Sequence, residues 1–490
     1  MAPHAERPSM QDVVLDEDDA PALAPAPDLR STGAALVGWS RGHVVRACAA
    51  TTALVALALT VLVGLPRWSL AHERRVLTAP VELAGAVRPL DSPPAVAWTT
   101  RGPWSPRTVL AGDTVVVYAA DVDDGTAEGL DLVTGAVRWR TTLPGGPLGT
   151  LRRCLAVDPA PGEPAAVVCL TEPERSAVRT EPVAGPVVVL DALDGRVVAR
   201  RDARGTVAGA VVVGRDLVLP LADESGVAVE RSDARTGTPV WRTQVLDPPV
   251  TVPPQRVVLR EGDGALLVAT GGTSLVLEEA TGRAVQVVDR GNRPRDHVGL
   301  LRDGSVLVGA YGTAGSALMI RTTVYDPGGA ERFTTRGTLS EPRVSDRPEE
   351  RLYAWSSLPG SPFGGRVRAV SRLTGQELWQ SPGPSAGVLL ELDGVAVLHG
   401  AGFEVGVDAR RGEQLWRRQV TLTSSDQPFT DGTHVIVARV EPGRGTVLEA
   451  LGVRDGRTAW EVLLPPGVTR VEQLGTHLVG IGPRLVVALR

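Results

Sequence analysis

The chain contains no lysine, and all 51 of its basic residues are arginine. An arginine-only composition reads as coding bias rather than as a device. The formal net charge is −5 and no basic stripe is visible. That excludes the usual electrostatic footprint of a nucleic-acid binder. Three cysteines are too few for a disulfide scaffold or a cysteine zinc site. Seven histidines are scattered, with no H-E-x-x-H pattern. No G-x-S-x-G, Walker or Rossmann pattern is present. Gly-rich pieces such as Gly262 to Gly272 read as strand–turn–strand. They lack a following helix, so they offer no helix N-terminus to a phosphate. Beyond residue 95 no stretch holds a helical period for three turns.

What the sequence does have is a repeat. In Leu130 to Arg140, Asp131 precedes Thr134-Gly135 and then Trp139. The frame recurs at Asp191 and Asp194-Gly195, with Ala199 in the aromatic slot, and fully at Asp233, Gly237 and Trp241. It continues at Glu278, Gly282 and Gln286, and more weakly at Gly329 and Phe333. Gly375 with Trp379, Asp408 with Gly412 and Trp416, and Asp455-Gly456 with Trp460 complete it. The anchor glycines are 60, 42, 45, 47, 46, 37 and 44 residues apart. A period in the forties indicates propeller blades or helical arrays. The Val/Leu runs before each anchor, such as Val115 to Tyr118 and Val187 to Leu190, are strand signals and decide for blades. Glycine supplies the positive φ of a tight hairpin, and the ring on the returning strand can pack between neighbouring sheets.

This signature resembles the pyrroloquinoline-quinone-type β-propeller repeat, in which an acidic residue, Thr-Gly and a Trp follow in that order. The resemblance covers residues 95–490. It implies an all-β propeller of four-stranded antiparallel blades. Trp98 resembles an outer-strand ring without an anchor, and His477 to Arg490 resembles early blade strands without a signature. Together the two ends would close the ring and remove its open edges. Eight anchors plus this composite give a literal count of nine. With the unit around Gly329 or Gly195 taken as degenerate, the expectation is eight blades, seven and nine being the alternatives.

Residues 1–43 are Pro/Ala-rich, carry the acidic run Asp16 to Asp19, and read as a disordered tail. Residues 44–66 read as one transmembrane helix. Its apolar run, Ala47 to Leu65, is bracketed by Arg46 and Arg67. At about 1.5 Å per residue it spans about 28 Å, close to a bilayer's hydrocarbon thickness. A signal peptide cleaved after Ala71 is the alternative, though the run is long for one. Residues 67–94 read as a Pro-containing stalk. The arginine count on the two sides is balanced. The simplest topology is a single-pass protein of the cell membrane, with a cytoplasmic N-terminus and an extracytoplasmic propeller.

Cys154 and Cys169 flank the turn Asp158 to Ala165. A hairpin centred between Pro161 and Gly162 sets them opposite each other, which makes them a candidate disulfide. The closed loop of about 15 residues would contribute about 3 kcal/mol. Disulfides persist outside the cytosol, in keeping with that topology.

For chemistry, the resemblance implies one sharp alternative. Quinoprotein dehydrogenases of this repeat type hold the quinone near the axis with Ca²⁺, a catalytic Asp and, usually, a disulfide of adjacent cysteines. No adjacent pair exists here. The acidic residues recur in register, as expected of a repeated turn role rather than one metal site. Asp121, Asp123 and Asp124 resemble the start of a calcium loop, but no Glu completes its frame. His297, His399, His434 and His477 could approach one another near the axis; a hydrogen-bonded strand position explains each more simply. No catalytic residue, cofactor or metal is therefore assigned. The expectation is a binding or assembly scaffold for a protein, peptide or cell-envelope ligand. The alternatives are a quinone- and calcium-dependent dehydrogenase and a sensor signalling through the helix to a partner.

Overall fold

The computed structural model describes residues 83–490, apart from 103–105, 120–124, 145–149, 174–184, 204–208, 224–225, 247–257, 263, 270–272, 290–296, 315–316, 358–364, 401 and 421–427. The segments expected to form a tail, a membrane helix (with the Ala71 cleavage alternative) and, as far as residue 82, a stalk lie outside the described residues, as do Asp121, Asp123 and Asp124. Among the described residues no helix is long and apolar enough to cross a membrane.

The strands form nine four-stranded antiparallel sheets, each an up-and-down meander. Blades 1 to 8 run in chain order: Pro106–Thr142, Thr150–Ala203, Val211–Leu246, Val258–Asp289, His297–Arg336, Thr338–Gln380, Gly387–Gln419 and Phe429–Leu463. Blade 9 joins three C-terminal strands between Arg470 and Leu489 to the N-terminal strand Val96–Arg101. The first strands of blades 9, 1, 2, 3, 4 and 5 neighbour one another in turn.

The expected eight blades are therefore corrected to nine. Both units suspected of degeneracy, around Gly195 and Gly329, keep all four strands. The reason is that the hairpin needs only its glycine, not the ring. Gly195 and Gly329 hold φ of 71° and 87°, a left-handed conformation that costs glycine little.

Each signature turn has one construction. In blade 1 the Gly135 N–H bonds to the Asp131 carbonyl and the Asp131 N–H to that of Ala136, both at 2.8 Å. A bulge at Gly129/Leu130 then shifts the register. This is a tight turn closed by a glycine bulge. The returning outer strand buries very little. In Val137–Thr142, Gln414–Gln419 and Thr458–Leu463 the signature Trp is the one fully buried residue. The core lies between sheets. Trp98, Val115, Val117 and Leu130, for instance, pack with Val479, Ile481 and Val486.

Ring closure has two parts. Val96–Arg101 pairs antiparallel with the last strand, setting Trp98 opposite Ala488 and Arg101 opposite Leu485. Residues 83–94 form a strap ahead of it. Val87 N–H bonds to the Thr430 carbonyl (2.7 Å), Arg88 N–H to that of Thr476 (3.0 Å) and Leu90 N–H to Asp431 Oδ2 (3.1 Å). Ala86 and Val87 of the strap are themselves buried.

Candidate binding surfaces

In a meander the turns alternate between two ends. One face of the ring carries the first–second and third–fourth turns, here called the turn face. The other, the linker face, carries the second–third loops and the connections between blades.

On the turn face the signature residues join neighbouring blades. Trp139 of blade 1 lies over Gly195 of blade 2, where a methyl group would come within 2.4 Å of its ring. Its indole N–H donates to the Ala192 carbonyl at 2.9 Å. The same knot recurs for Trp98, Trp241, Trp379 and Trp416, which cover Gly135, Gly282, Gly412 and Gly456. These indoles donate to the carbonyls of Leu132, Glu279, Ala409 and Val453 at 2.8–2.9 Å. Trp460 of blade 8 faces blade 9, whose outer strand comes from the other end of the chain. There the strap supplies the acceptor, the Leu90 carbonyl at 2.8 Å.

The acidic residues serve their own turns. Asp131 Oδ1 accepts the Val133 and Thr134 N–H groups and the Thr134 hydroxyl, at 2.9–3.1 Å. Its Oδ2 holds Arg138, which also reaches Asp113. Burial alone would raise the Asp131 pKa, but Arg138 and the Thr134 donors outweigh it and hold the carboxyl at about 2. Asp233 accepts from Arg235, Thr236 and Arg215. Asp408 accepts the Arg410 and Arg411 N–H groups. The contacts named here stay within each residue's own blade. Among the described residues no group of three His, Cys, Asp or Glu side chains is placed to hold a metal ion. His434 pairs with Asp431 at 2.9 Å, His399 lies on the second strand of blade 7, and His477 opens the second strand of blade 9. The side chain of His297 lies outside the described set.

Cys154 and Cys169 stand directly opposite on the first two strands of blade 2, with their sulfurs bonded at 2.11 Å. Both are buried.

Residues outside the signature contribute as well. Thr100, Thr141 and Thr243, each two positions after a Trp, donate to the carbonyls of Gly135, Gly195 and Gly282 at 3.1, 2.6 and 2.6 Å. The recurring W-x-T was legible in the sequence. Arg201 stands at the same offset from Ala199, covers Gly237 in place of a ring, and reaches Ser232 Oγ at 3.1 Å.

Cavities lined by described residues include two on opposite faces of the ring. One, of about 550 Å³, opens on the turn face at blade 7 between Asp346, Arg347, Asp393, Asp408, Arg410 and Arg454. Here a long first–second loop of blade 6 crosses over, and Asp346 Oδ2 accepts the Asp393 N–H at 2.7 Å. Arg454 binds the Asp393 carboxylate through two N–H groups and lowers its pKa. The other, of about 500 Å³, opens on the linker face of blade 9 between Arg101, Pro466, Gly467, Pro483, Arg484 and Leu485.

These features define a nine-bladed propeller of the quinone-repeat class. The family model described as "Outer membrane protein assembly factor BamB" matches residues 170–303 and 364–489, more than half of the chain. The chain belongs to that PQQ-like repeat family. No curated protein matches it in sequence. Among solved structures, BamB from Moraxella catarrhalis is similar, with 15% identity and a TM-score of 0.41 over 81% of this chain and 98% of that one. The computationally designed Ika8 protein shares 13% identity with a TM-score of 0.42, over 84% of this chain and 98% of that one. A europium-containing methanol dehydrogenase shares 12% identity with a TM-score of 0.40, over 79% of this chain and 85% of that one. None of these likenesses carries chemistry to this chain.

Proposed function

We propose that the protein is a non-catalytic binding or assembly scaffold. In this reading Ala47 to Leu65 anchors it in the cell membrane, with the propeller outside and a protein, peptide or envelope component as its partner. The main support is how the acidic side chains are used. Asp131, Asp233 and Asp408 are engaged by their own turn amides and nearby arginines. Side chains so committed hold a hairpin and are not free to bind an axial cation. Membership in a family described as an outer membrane assembly factor agrees with this.

Two measurements test the reading. Crosslinking in native membranes should recover a defined protein or envelope partner. Thermal melts of the full-length protein with pyrroloquinoline quinone plus Ca²⁺ should show no shift. A ligand at 100 times its Kd would add about 2.7 kcal/mol. A rise in Tm that requires both additives would replace the scaffold with a quinone-dependent dehydrogenase.

A further inference from the structure

Positive φ outside glycine occurs at two positions among the described residues, Asp393 (52°) and Arg484 (57°). Each lines one of the two cavities. Aspartate tolerates this conformation, and Asp393 has local partners in Asp346 and Arg454. Arginine has no such excuse. Arg484 occupies the third position of the turn Gly482-Pro483-Arg484-Leu485, where a turn of that shape favours glycine. Asp393 aside, the other left-handed positions among the described residues are glycines. A side chain retained at a conformational cost points to a use for that side chain.

Its surroundings say which use. Arg484 and Arg101 are both exposed, and neither guanidinium has a hydrogen-bond or ion-pair partner among the described residues. Arg101 stands opposite Leu485, so the two arginines flank one cavity mouth. Among the described residues no carboxylate lines it, and the remaining walls are prolines, glycines and Leu485. Many other described arginines are paired with carboxylates, as Arg138, Arg231, Arg372 and Arg439 are. The floor is tight. A methyl group on Gly482 would lie 1.7 Å from the Gly467 carbonyl oxygen, so only glycine lets turn and linker meet here. The Gly102 N–H ties the outer strand to the Arg484 carbonyl at 3.2 Å. The cavity is therefore built from both ends of the propeller and exists only once the ring has closed.

We propose that this cavity binds an acidic peptide segment of a protein partner, with Arg101 and Arg484 gripping its carboxylates and the prolines and Leu485 packing its backbone. Guanidinium forks match carboxylates in geometry as well as charge. The proposal rests on the scaffold reading and names the chemistry of the partner and the surface it uses.

The test uses the full-length protein in detergent, with a fluorescent hexa-aspartate peptide and a hexa-serine control, read by anisotropy. Hexa-aspartate should bind saturably, more weakly as salt rises, and hexa-serine should not bind. Arg101→Gln and Arg484→Gly should each weaken binding about tenfold or more. Arg484→Gly removes the guanidinium and relieves the backbone together, so its Tm should hold or rise while binding falls. Absence of saturable binding, or wild-type affinity in both variants, would overturn the site. Displacement by inorganic phosphate at constant ionic strength but not by unlabelled hexa-glutamate would assign the cavity to free phosphate and overturn the peptide. If membrane crosslinks to a partner persist in the double variant, this site fails and the scaffold reading stands.

Discussion

At the junction of blades 7 and 8, Trp416 packs among Val395, Val397, Val435 and Leu451, covers Gly456, and donates to the Val453 carbonyl. At the junction of blades 2 and 3 the equivalent residue is Ala199, and Arg201 reaches in from two positions further along. The residue directly opposite on the neighbouring strand differs too. Trp416 faces Gly406, while Ala199 faces Val189. The exchange of volume recurs around the ring. Trp139, Trp379, Trp460 and Trp98 face Gly129, Ala369, Ala450 and Ala488. Gln286 and Phe333 face Val276 and Val324. Trp241 faces Arg231 and is the one signature Trp left half-buried. Close packing explains the pattern, because a fixed gap between sheets can be filled from either strand but not from both. A junction without its Trp is thus a repacked one, which is why losing the ring did not delete a blade.

The largest effect should come from breaking the Trp junction. Trp416→Ala is expected to cost about 3–5 kcal/mol, whereas Ala199→Gly should cost about 1 kcal/mol or less. Similar shifts in denaturation midpoint for the two would contradict the comparison. Blade 2, which lacks the ring, has the disulfide. Cys154→Ser with Cys169→Ser should cost about 3 kcal/mol from loop closure, read as a lower midpoint than that of the oxidised wild type.

The third effect depends on pH and belongs to the Trp416 junction. Glu404 sits there with Oε2 buried and without a hydrogen-bond partner among the described residues. His399 and Arg418 flank it on its own sheet, and Arg439 and Glu449 act on it from blade 8, where Arg439 also pairs with Glu461. Burial, reinforced by Glu449 and opposed by Arg418 and Arg439, pushes Glu404 up to about 7. The folded state therefore holds this proton more tightly than the unfolded chain does. The associated stability is complete below the ordinary carboxyl range and is lost as pH rises toward 7. Glu404→Gln should match wild type near pH 4 and exceed it by roughly 2–3 kcal/mol at pH 8.5. Parallel midpoints at both pH values would remove Glu404 from the account. The smallest effect should come from rebuilding a Trp junction where none exists. Val189→Gly with Ala199→Trp and Arg201→Thr restores ring, space and hydroxyl, and should gain about 1 kcal/mol. Ala199→Trp alone should lose stability by overpacking against Val189.

Much of this was legible in the residues. Asp131, Gly135 and Trp139 lie within one hairpin, so their spacing records its geometry directly, and copies of it announced the blades. Cys154 and Cys169 were legible for the same reason, since one turn sets their register. W-x-T, and the glycines two places before Asp131 and Asp408, lay in plain view but have meaning only against a neighbouring sheet. Local contacts of this kind follow from chain geometry and side-chain volume. The ninth blade, the Leu90 acceptor for Trp460, the move of Arg201 into an empty seat and the cavity between Arg101 and Arg484 required the folded ring. Each joins positions far apart in the chain: 370 residues separate Leu90 from Trp460. No spacing along a sequence encodes such a meeting. It is set when many weak sheet-to-sheet contacts jointly fix how many blades close the circle.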